Sequence, residues 1–191
     1  MEVVNEAGLF VDMFRKSYVD EPAKIIKELS SSIKCFCEEA DGTLSEWFFD
    51  RLQEYNQLGI TEKLAYQYQI AWAYNGSLNP YKSWQLFKAS AEGYKSLDST
   101  SVEYAQCLNG MAYICRFLGK DDIALPLYRE IEHIYAKQYG NNSKQYAINC
   151  DNLGRTFLKY LNEPDSALQY MNMSYESLRN LNDTTQDMGI V

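Results

Sequence analysis

The sequence has few of the residues that support catalysis, membrane insertion or nucleic-acid binding. It contains one histidine, His133, and no apolar run that approaches the roughly 18 residues of a membrane span. Its acidic beginning lacks the basic start and apolar stretch of a secretory signal. The net charge is −8, and lysine and arginine form no dense run, so we expect neither nucleic acid nor a membrane as a partner.

The five cysteines are too few and too irregular for a disulfide framework. An odd number in a chain of this length favours reduced thiols and a cytoplasmic location. Cys35 and Cys37 lack the C-x-x-C spacing of a zinc site, and a single histidine adds little to a ligand set. We therefore predict no metal and no cofactor, and we interpret the cysteines as small buried apolar side chains.

Motifs of common enzymes are also missing. The sequence has no G-x-S-x-G, no phosphate-binding glycine loop and no H-E-x-x-H. His133 stands between Ile131 and Ile134 on a helical pattern, which favours a surface position over a catalytic base. The adjacent acidic pairs, Asp121-Asp122 and Glu38-Glu39, point to different sides of a helix. The sequence thus predicts that the protein is not an enzyme.

Apolar residues recur every three and four positions along most of the sequence, which predicts helices nearly throughout. Pro22, Pro80 and Pro164 occupy first-turn positions, where a missing N–H costs nothing. Thr43–Glu46 and Thr100–Glu103 have the pattern of capping boxes. These signals predict about nine helices, near residues 2–18, 22–40, 44–58, 62–76, 80–97, 101–118, 121–139, 143–160 and 164–181. Short connections predict that sequence neighbours pack antiparallel.

An internal repeat organises these helices. "YAQCLNGMAYICRFLGKDDIALPLY" begins at Tyr104, and "YAINCDNLGRTFLKYLNEPDSALQYM" begins about 42 residues later at Tyr146, with one residue inserted before its turn. A more divergent copy, "LAYQYQIAWAYNGSLNPYKSWQLF", begins at Leu64. Small residues recur in the two helices of each copy as the pairs Ala71 with Ser83, Ala112 with Ala124, and Gly154 with Ala167.

Close helix packing explains this pattern. A small residue in each helix of a pair lets the two backbones approach where they cross, and large residues fill the space around the crossing. Gly119 ends the first helix of its pair, because a left-handed turn is cheap only without a Cβ atom. Asp121 and Asp122 then favour the positive end of the next helix. Pro126 falls just past the first turn of that helix and removes one hydrogen bond.

The small-large-small spacing around a glycine turn resembles the tetratricopeptide repeat (TPR), and "LNGMAY", "GKDDIALPLY" and the long period resemble the repeats of kinesin light chains. The resemblance implies an all-α fold in which antiparallel helix pairs stack as a right-handed superhelix, an α-solenoid. It covers residues 62–182 as three pairs. Ser83, Asn162 and the lack of a tryptophan at the first-helix anchor depart from the motif. Residues 1–61 show helices without a clear repeat signature and are predicted to form a cap or an effector surface, and residues 183–191 a flexible tail.

The resemblance also implies where a partner binds, because first helices line the concave groove of such arrays. The groove-facing candidates are Tyr68, Trp72, Asn75, Asn109, Tyr113, Arg116, Asp151, Asn152, Arg155 and Lys159. Asparagines suit a peptide backbone, aromatic rings offer flat contacts, and the three cations suit acidic groups on the ligand. In the competing interpretation, Tyr68 and Trp72 pack against the N-terminal helices and the cations form a solvated face.

Three functions are compatible with these sequence features. The first is a non-catalytic interaction module that binds a peptide or partner protein carrying acidic groups in the groove of a TPR array. The second is a regulatory domain that senses a peptide or signal and controls an attached or separate effector. An enzyme is the least supported of the three.

Overall fold

The computed structural model describes residues 2–18, 21–55 and 57–187 of the chain. All regular structure in these residues is helical, and no strand occurs among them. The helices are α1 Glu2–Ser17, α2 Pro22–Glu38, α3 Gly42–Gln53, α4 Ile60–Gly76, α5 Pro80–Leu97, α6 Val102–Phe117, α7 Asp121–Tyr139, α8 Lys144–Thr156 and α9 Pro164–Asp187. A π-helical turn, Phe157–Leu161, continues directly from α8. The predicted all-α class is confirmed.

The helix ends show which local signals were interpreted correctly. Pro22, Pro80 and Pro164 are the first residues of α2, α5 and α9, and Pro126 lies inside α7, as predicted. The third helix ends at Gln53, earlier than expected. The ninth continues to Asp187, into the segment predicted as a tail, of which residues 188–191 lie outside the described residues.

For both predicted capping boxes, the prediction of the capping residue was wrong, because a different residue caps each helix. Asp41 caps α3 by accepting a hydrogen bond from the Leu44 N–H at 2.9 Å, so Thr43 lies inside the helix. Ser101 caps α6 by accepting from Tyr104 N–H at 3.2 Å. Thr100 does not cap, because its hydroxyl is held by Asp98 at 2.9 Å. In both cases a better-placed acceptor one or two residues from the predicted one takes the free N–H.

Internal contacts divide the chain into two compact units, residues 1–90 and 91–191. The first unit contains α1 to α4 and the beginning of α5. Its core consists of Val11, Ile25, Leu29, Ile33, Phe48, Phe49, Leu52, Ile70 and Tyr74. The second unit contains the end of α5 and α6 to α9. The predicted boundary near residue 61 rests on the repeat signature alone and stays a prediction.

Successive helices pack antiparallel as four helix pairs: pair 1 is α2–α3, pair 2 is α4–α5, pair 3 is α6–α7, and pair 4 is α8 with its π turn and α9. In pair 2, Ser83 Oγ donates to the Ala71 carbonyl at 2.6 Å. Ser90 Oγ contacts the Leu64 carbonyl at 3.4 Å. Ser90 lies seven residues after Ser83 on α5, whereas Leu64 lies seven residues before Ala71 on α4. Contacts that move in opposite directions along the two helices require antiparallel axes.

Small residues do occupy the points where paired helices cross. A Cβ atom added to Gly154 would lie 2.9 Å from Met171 Cγ and 3.0 Å from the Ala167 carbonyl oxygen. Ala112 and Ala124 have no exposed surface. Ser83 fits although it is polar, because its hydroxyl bonds to the facing backbone. The packing explanation of the repeat is therefore supported in pairs 2, 3 and 4.

Every pair turns through a residue with positive φ. These residues are Ala40 (56°), Leu78 (59°), Gly119 (70°) and Asn162 (52°). In the first three pairs the next N–H donates to the carbonyl five residues earlier, with distances of 2.8 Å at Asp41, 2.9 Å at Asn79 and 2.7 Å at Lys120. This is the Schellman arrangement that closes a helix C-terminus. Asparagine tolerates the left-handed region better than most residues, which explains how Asn162 replaces a glycine.

Pair 1 shares this geometry although its sequence did not show the repeat. Five residues after the left-handed Ala40 comes Ser45, fully buried and in the same position as Ser83 and Ala124. Its first helix, however, carries the buried Ile33 where the other pairs have alanine or glycine. That large side chain hid the repeat. Residues 22–53 thus form a fourth helix pair of the same design.

We predict opposite effects of substitutions at two equivalent turn positions. Gly119→Ala should lower the free energy of unfolding by about 1–2 kcal/mol, because alanine is strained at positive φ. No atom lies within 4 Å of the added Cβ, so the cost is confined to the backbone. Leu78→Gly should raise stability by up to about 1 kcal/mol, since Leu78 is 81% exposed and strained. Urea denaturation measures both; changes of the same sign would contradict the prediction.

We also predict that the crossing in pair 3 cannot accept a long side chain. Ala124→Arg should lower the free energy of unfolding by more than about 3 kcal/mol, because it forces a charge into a close helix contact. Ile123→Arg, at a neighbouring position on the exposed side of α7, is the matched control and should cost at most about 1 kcal/mol. An unchanged melting temperature for Ala124→Arg would show that the helices do not touch there.

Candidate functional site

Four of the predicted groove residues surround one cleft between α6 and α8. The cleft has a volume of about 210 Å³ and is lined by Tyr113, Arg116, Phe117, Asp121, Arg155 and Lys159. Tyr113 and Phe117 are exposed aromatic rings, so the cleft combines flat apolar surface with three cations. We call it the α6/α8 cleft.

The register of α6 explains why these side chains share a face. Asn109, Tyr113 and Arg116 are separated by four and three residues, which places them along one side of a helix. The opposite side carries Cys107 and Ile114, which are buried in the second unit. Asn109 is half-buried on the same side but does not line the cleft.

Arg116 is a cation of the cleft whose guanidinium is held in a defined orientation by neighbouring side chains. Its Nη1 donates to Asn152 Oδ1 at 2.6 Å and lies 3.5 Å from the hydroxyl of Tyr128. Burial raises the pKa of Tyr128, and the neighbouring Arg116 opposes that shift. A guanidinium has five N–H donors, so these contacts fix its orientation and leave donors that can face a ligand. Asn152, predicted as a ligand contact, therefore acts as the support of Arg116.

Arg155 and Lys159 are more exposed and are paired with acids. Arg155 Nε donates to Asp151 Oδ2 at 2.7 Å, and Lys159 Nζ lies 3.6 Å from Asp121 Oδ2. Asp121 is only 4% exposed and begins α7, where a helix N-terminus favours a negative charge. The ion pair of Arg155 with Asp151 is exposed on both sides and contributes little stability, so the carboxylate of a ligand can compete for Arg155.

The π-helical turn absorbs the extra residue of pair 4. The sequence of this pair has one more residue between Gly154 and its left-handed Asn162 than pair 3 has between Ala112 and Gly119. Phe157–Leu161 forms the wider turn, and the Glu163 N–H closes it on the Phe157 carbonyl at 3.2 Å. Lys159 lies in this turn. Such π segments often occur at functional sites, which supports a role for this end of α8.

The candidates in α4 have a different environment. The ring centroids of Tyr68 and Trp72 lie 5.6 and 5.0 Å from that of Phe87 on α5, and both side chains are half-buried. The competing interpretation named the N-terminal helices as their packing partner, whereas the ring contact is made within pair 2. Asn75 is half-buried in the last turn of α4. A binding role for these three residues stays a prediction.

A larger cleft that sequence reasoning missed lies between α2 and α4. Its volume is about 430 Å³, and its lining consists of Lys27, Ser30, Ser31, Lys34, Glu62, Ala65, Tyr66 and Gln69. We call it the α2/α4 cleft. Lys34 lies six residues before the left-handed residue of its pair, Ala40. The groove candidates Trp72 and Tyr113 lie at the same distance before Leu78 and Gly119. Recognition of the turn at Ala40 would have placed these residues among the candidates.

The cysteines and the histidine form no reactive centre. None of the five cysteines forms a disulfide, and Cys107, Cys115 and Cys150 are buried as predicted. Cys35 is exposed and Cys37 half-buried, so the expectation of burial was wrong for α2, whose register turns Cys35 to solvent. His133 is exposed. Among the described residues, no group of three or more histidine, cysteine or acidic side chains is placed to hold a metal ion.

Comparisons with known proteins place the fold among TPR-like repeats. BtubC (BKLC) from P. vanneervenii superimposes with a TM-score of 0.71 at 18% identity, over 93% of this chain and 73% of BtubC. A putative kinesin light chain with nearly identical TPR-like repeats from Podosopora anserina gives 0.57 at 14% identity, over 85% and 75% of the two chains, and a single-substitution variant of it gives 0.58. No family model and no curated protein matches the sequence.

These likenesses agree with the helix pairs and left-handed turns described above, so the chain has a TPR-like repeat fold. In the described part of the chain, no helix has both the length and the apolar character needed to cross a membrane.

We predict that the cysteines differ sharply in reactivity. Burial raises the pKa of Cys107 to about 12 and that of Cys150 to about 11, which leaves almost no thiolate near pH 8. Ellman's reagent should therefore modify Cys35 first, and Cys107 and Cys150 only after unfolding. Cys35→Ser should remove the fast phase, and in denaturant all thiols should react alike. A fast phase that persists in Cys35→Ser would contradict this assignment.

Proposed function

We propose that this protein is a non-catalytic interaction module that holds an acidic peptide or an acidic segment of a partner protein in the α6/α8 cleft. The observation that carries the proposal is the oriented guanidinium of Arg116, fixed by Asn152 at 2.6 Å and flanked by Arg155 and Lys159. A cation held in place loses little conformational freedom when it binds a carboxylate, so more of the interaction energy reaches affinity.

The apolar part of the cleft favours a peptide over a small anion. Phe117 is 69% exposed and Tyr113 is about half exposed, beside the cations. Exposed aromatic rings of this size are typical of surfaces that contact partner side chains. The ligand that fits is thus a peptide with an acidic group next to an apolar side chain.

The TPR-like fold supports the same conclusion, because stacked helix pairs commonly provide extended binding surfaces. The shared geometry of pair 1 also bears on the regulatory alternative. Since α2 and α3 turn and pack like the other pairs, residues 22–53 are better explained as part of the helical array than as a separate effector surface. We therefore propose the interaction module over the regulator.

A cytoplasmic location is part of this proposal. None of the five cysteines forms a disulfide, and the buried Cys107, Cys115 and Cys150 lie in the packed interior of the second unit. Buried free thiols are compatible with a reducing compartment.

We predict that charge reversal in the α6/α8 cleft weakens acidic ligands. Peptides selected from a random display library on the wild-type chain should be enriched in acidic and apolar residues. Arg116→Glu with Arg155→Glu should raise the Kd of such a peptide at least about tenfold, measured by fluorescence anisotropy.

The control is Lys137→Glu with Arg179→Glu, two exposed cations of the same unit that do not line the cleft. Arg155→Gln with Lys159→Gln is a second variant that leaves the buried contacts of Arg116 intact. Circular dichroism checks helicity in each case. Equal affinity of the selected peptide for the wild type and both cleft variants would overturn the proposal.

A further inference from the structure

The α2/α4 cleft carries donors that the protein itself does not use. Lys27 and Lys34 are exposed on α2, and among the described residues neither forms an ion pair. Ser30 and Ser31 lie between them, and neither hydroxyl donates a hydrogen bond within the described part of the chain. Residues at i, i+3, i+4 and i+7 share one side of a helix, so these four groups face the same space.

Among the described residues that line this cleft, the one acid already binds a backbone group. Glu62 Oε2 accepts a hydrogen bond from the Gly59 N–H at 2.8 Å, at the N-terminus of α4. The glutamate thereby satisfies a free backbone donor and lies near the positive end of that helix. The lining thus sets two lysines against the single carboxylate of Glu62, in a chain whose net charge is −8.

The opposite wall is shaped for a chain rather than for a single small ion. Ala65 leaves room between α2 and α4, and Gln69 presents an exposed amide that suits a peptide backbone. The ring of Tyr66 is held in place by Phe49, with 5.6 Å between ring centroids. A cleft of about 430 Å³ is also far larger than one carboxylate or phosphate group needs.

We propose that the α2/α4 cleft is a second binding site, which takes an extended peptide segment carrying two aspartate or glutamate side chains about three residues apart. Lys27 and Lys34 are seven positions apart, which corresponds to about 10 Å along the helix axis. Three residues of extended peptide span about the same distance. One acidic group then faces each lysine, and the serine hydroxyls donate to the carboxylates or to the backbone between them.

This site rests on its own contacts and does not depend on the α6/α8 cleft. None of its lining residues belongs to the second unit, and none is among the groove residues predicted from the repeat. Loss of one site should therefore leave the other intact, which separates the two proposals experimentally.

The test titrates the full chain, labelled with ¹⁵N, with acetyl-(Gly-Ser-Glu)₄-amide, in which glutamates recur every third residue. Backbone amide signals of residues 27–34 and 62–69 should shift saturably, and the affinity should fall as salt is added. The matching glutamine peptide should cause no such shifts. A peptide with paired glutamates and wider gaps, at the same total charge, should bind more weakly.

Lys27→Glu with Lys34→Glu should raise the Kd at least about tenfold, and Ser30→Ala with Ser31→Ala about threefold. The control, Lys24→Glu with Lys63→Glu, makes the same charge change on α2 and α4 outside the cleft and should alter the Kd less than twofold. Lys27→Gln with Lys34→Gln gives a milder loss and remains informative if the reversed variant unfolds. Arg116→Glu with Arg155→Glu should leave these shifts unchanged.

Three results would overturn the proposal. The first is the absence of shifts in α2 and α4. The second is an equal loss of affinity in the cleft variant and its control, which would indicate attraction by overall charge alone. The third is binding of the same peptide only when phosphoserine replaces glutamate, which would show a phosphate site rather than a carboxylate site.

Discussion

The structure depends on the close approach of two helices at the point where each pair crosses. Gly154 leaves room only for the backbone and the side chain of the facing α9, and Ser83 adds a 2.6 Å hydrogen bond to the facing carbonyl. Because the two backbones nearly touch there, the angle and register of the pair are fixed. The register of the first helix is then the same from pair to pair, and this register determines where its candidate binding residues lie.

The left-handed turns are the second feature that fixes the geometry of each helix pair. A crossing close to a short connection requires the chain to reverse within a few residues, and a residue with positive φ does so. Ala40 and Leu78 adopt this conformation although alanine and leucine are strained in it. Their strain is tolerated because the hydrogen bonds that follow the turn and the packing beyond it favour the same geometry. The turn is therefore determined by tertiary packing in two pairs and by local preference at Gly119 and Asn162.

This difference explains what could be predicted from sequence. The fold and pairs 2, 3 and 4 could be predicted from three signals. These are the helical periodicity, the prolines that begin three of the helices, and the small residues at the crossings. Pair 1 was missed because Ile33 and Ala40 carry no local signal for a crossing or a turn. The same failure hid the α2/α4 cleft, whose lining can be assigned only once the register of α2 is known.

The candidate site was predictable in part for a related reason. Spacing along a helix correctly grouped Tyr113 with Arg116 and Arg155 with Lys159. It gave no sign that Asn152 and Asp151, both predicted to contact a ligand, also bond to neighbouring arginines. Which polar side chains engage each other depends on distances between helices, and those distances are absent from a linear pattern.

The π-helical turn after α8 shows how such an array accommodates a change in length. An inserted residue in a helix normally rotates everything beyond it by about 100° relative to the preceding face. Here the wider turn takes up the insertion locally, and the chain still reaches a left-handed residue and a small residue in α9 at the usual places. The exposed surface of one helix can therefore be lengthened and its chemistry altered while the interior of the pair keeps its arrangement.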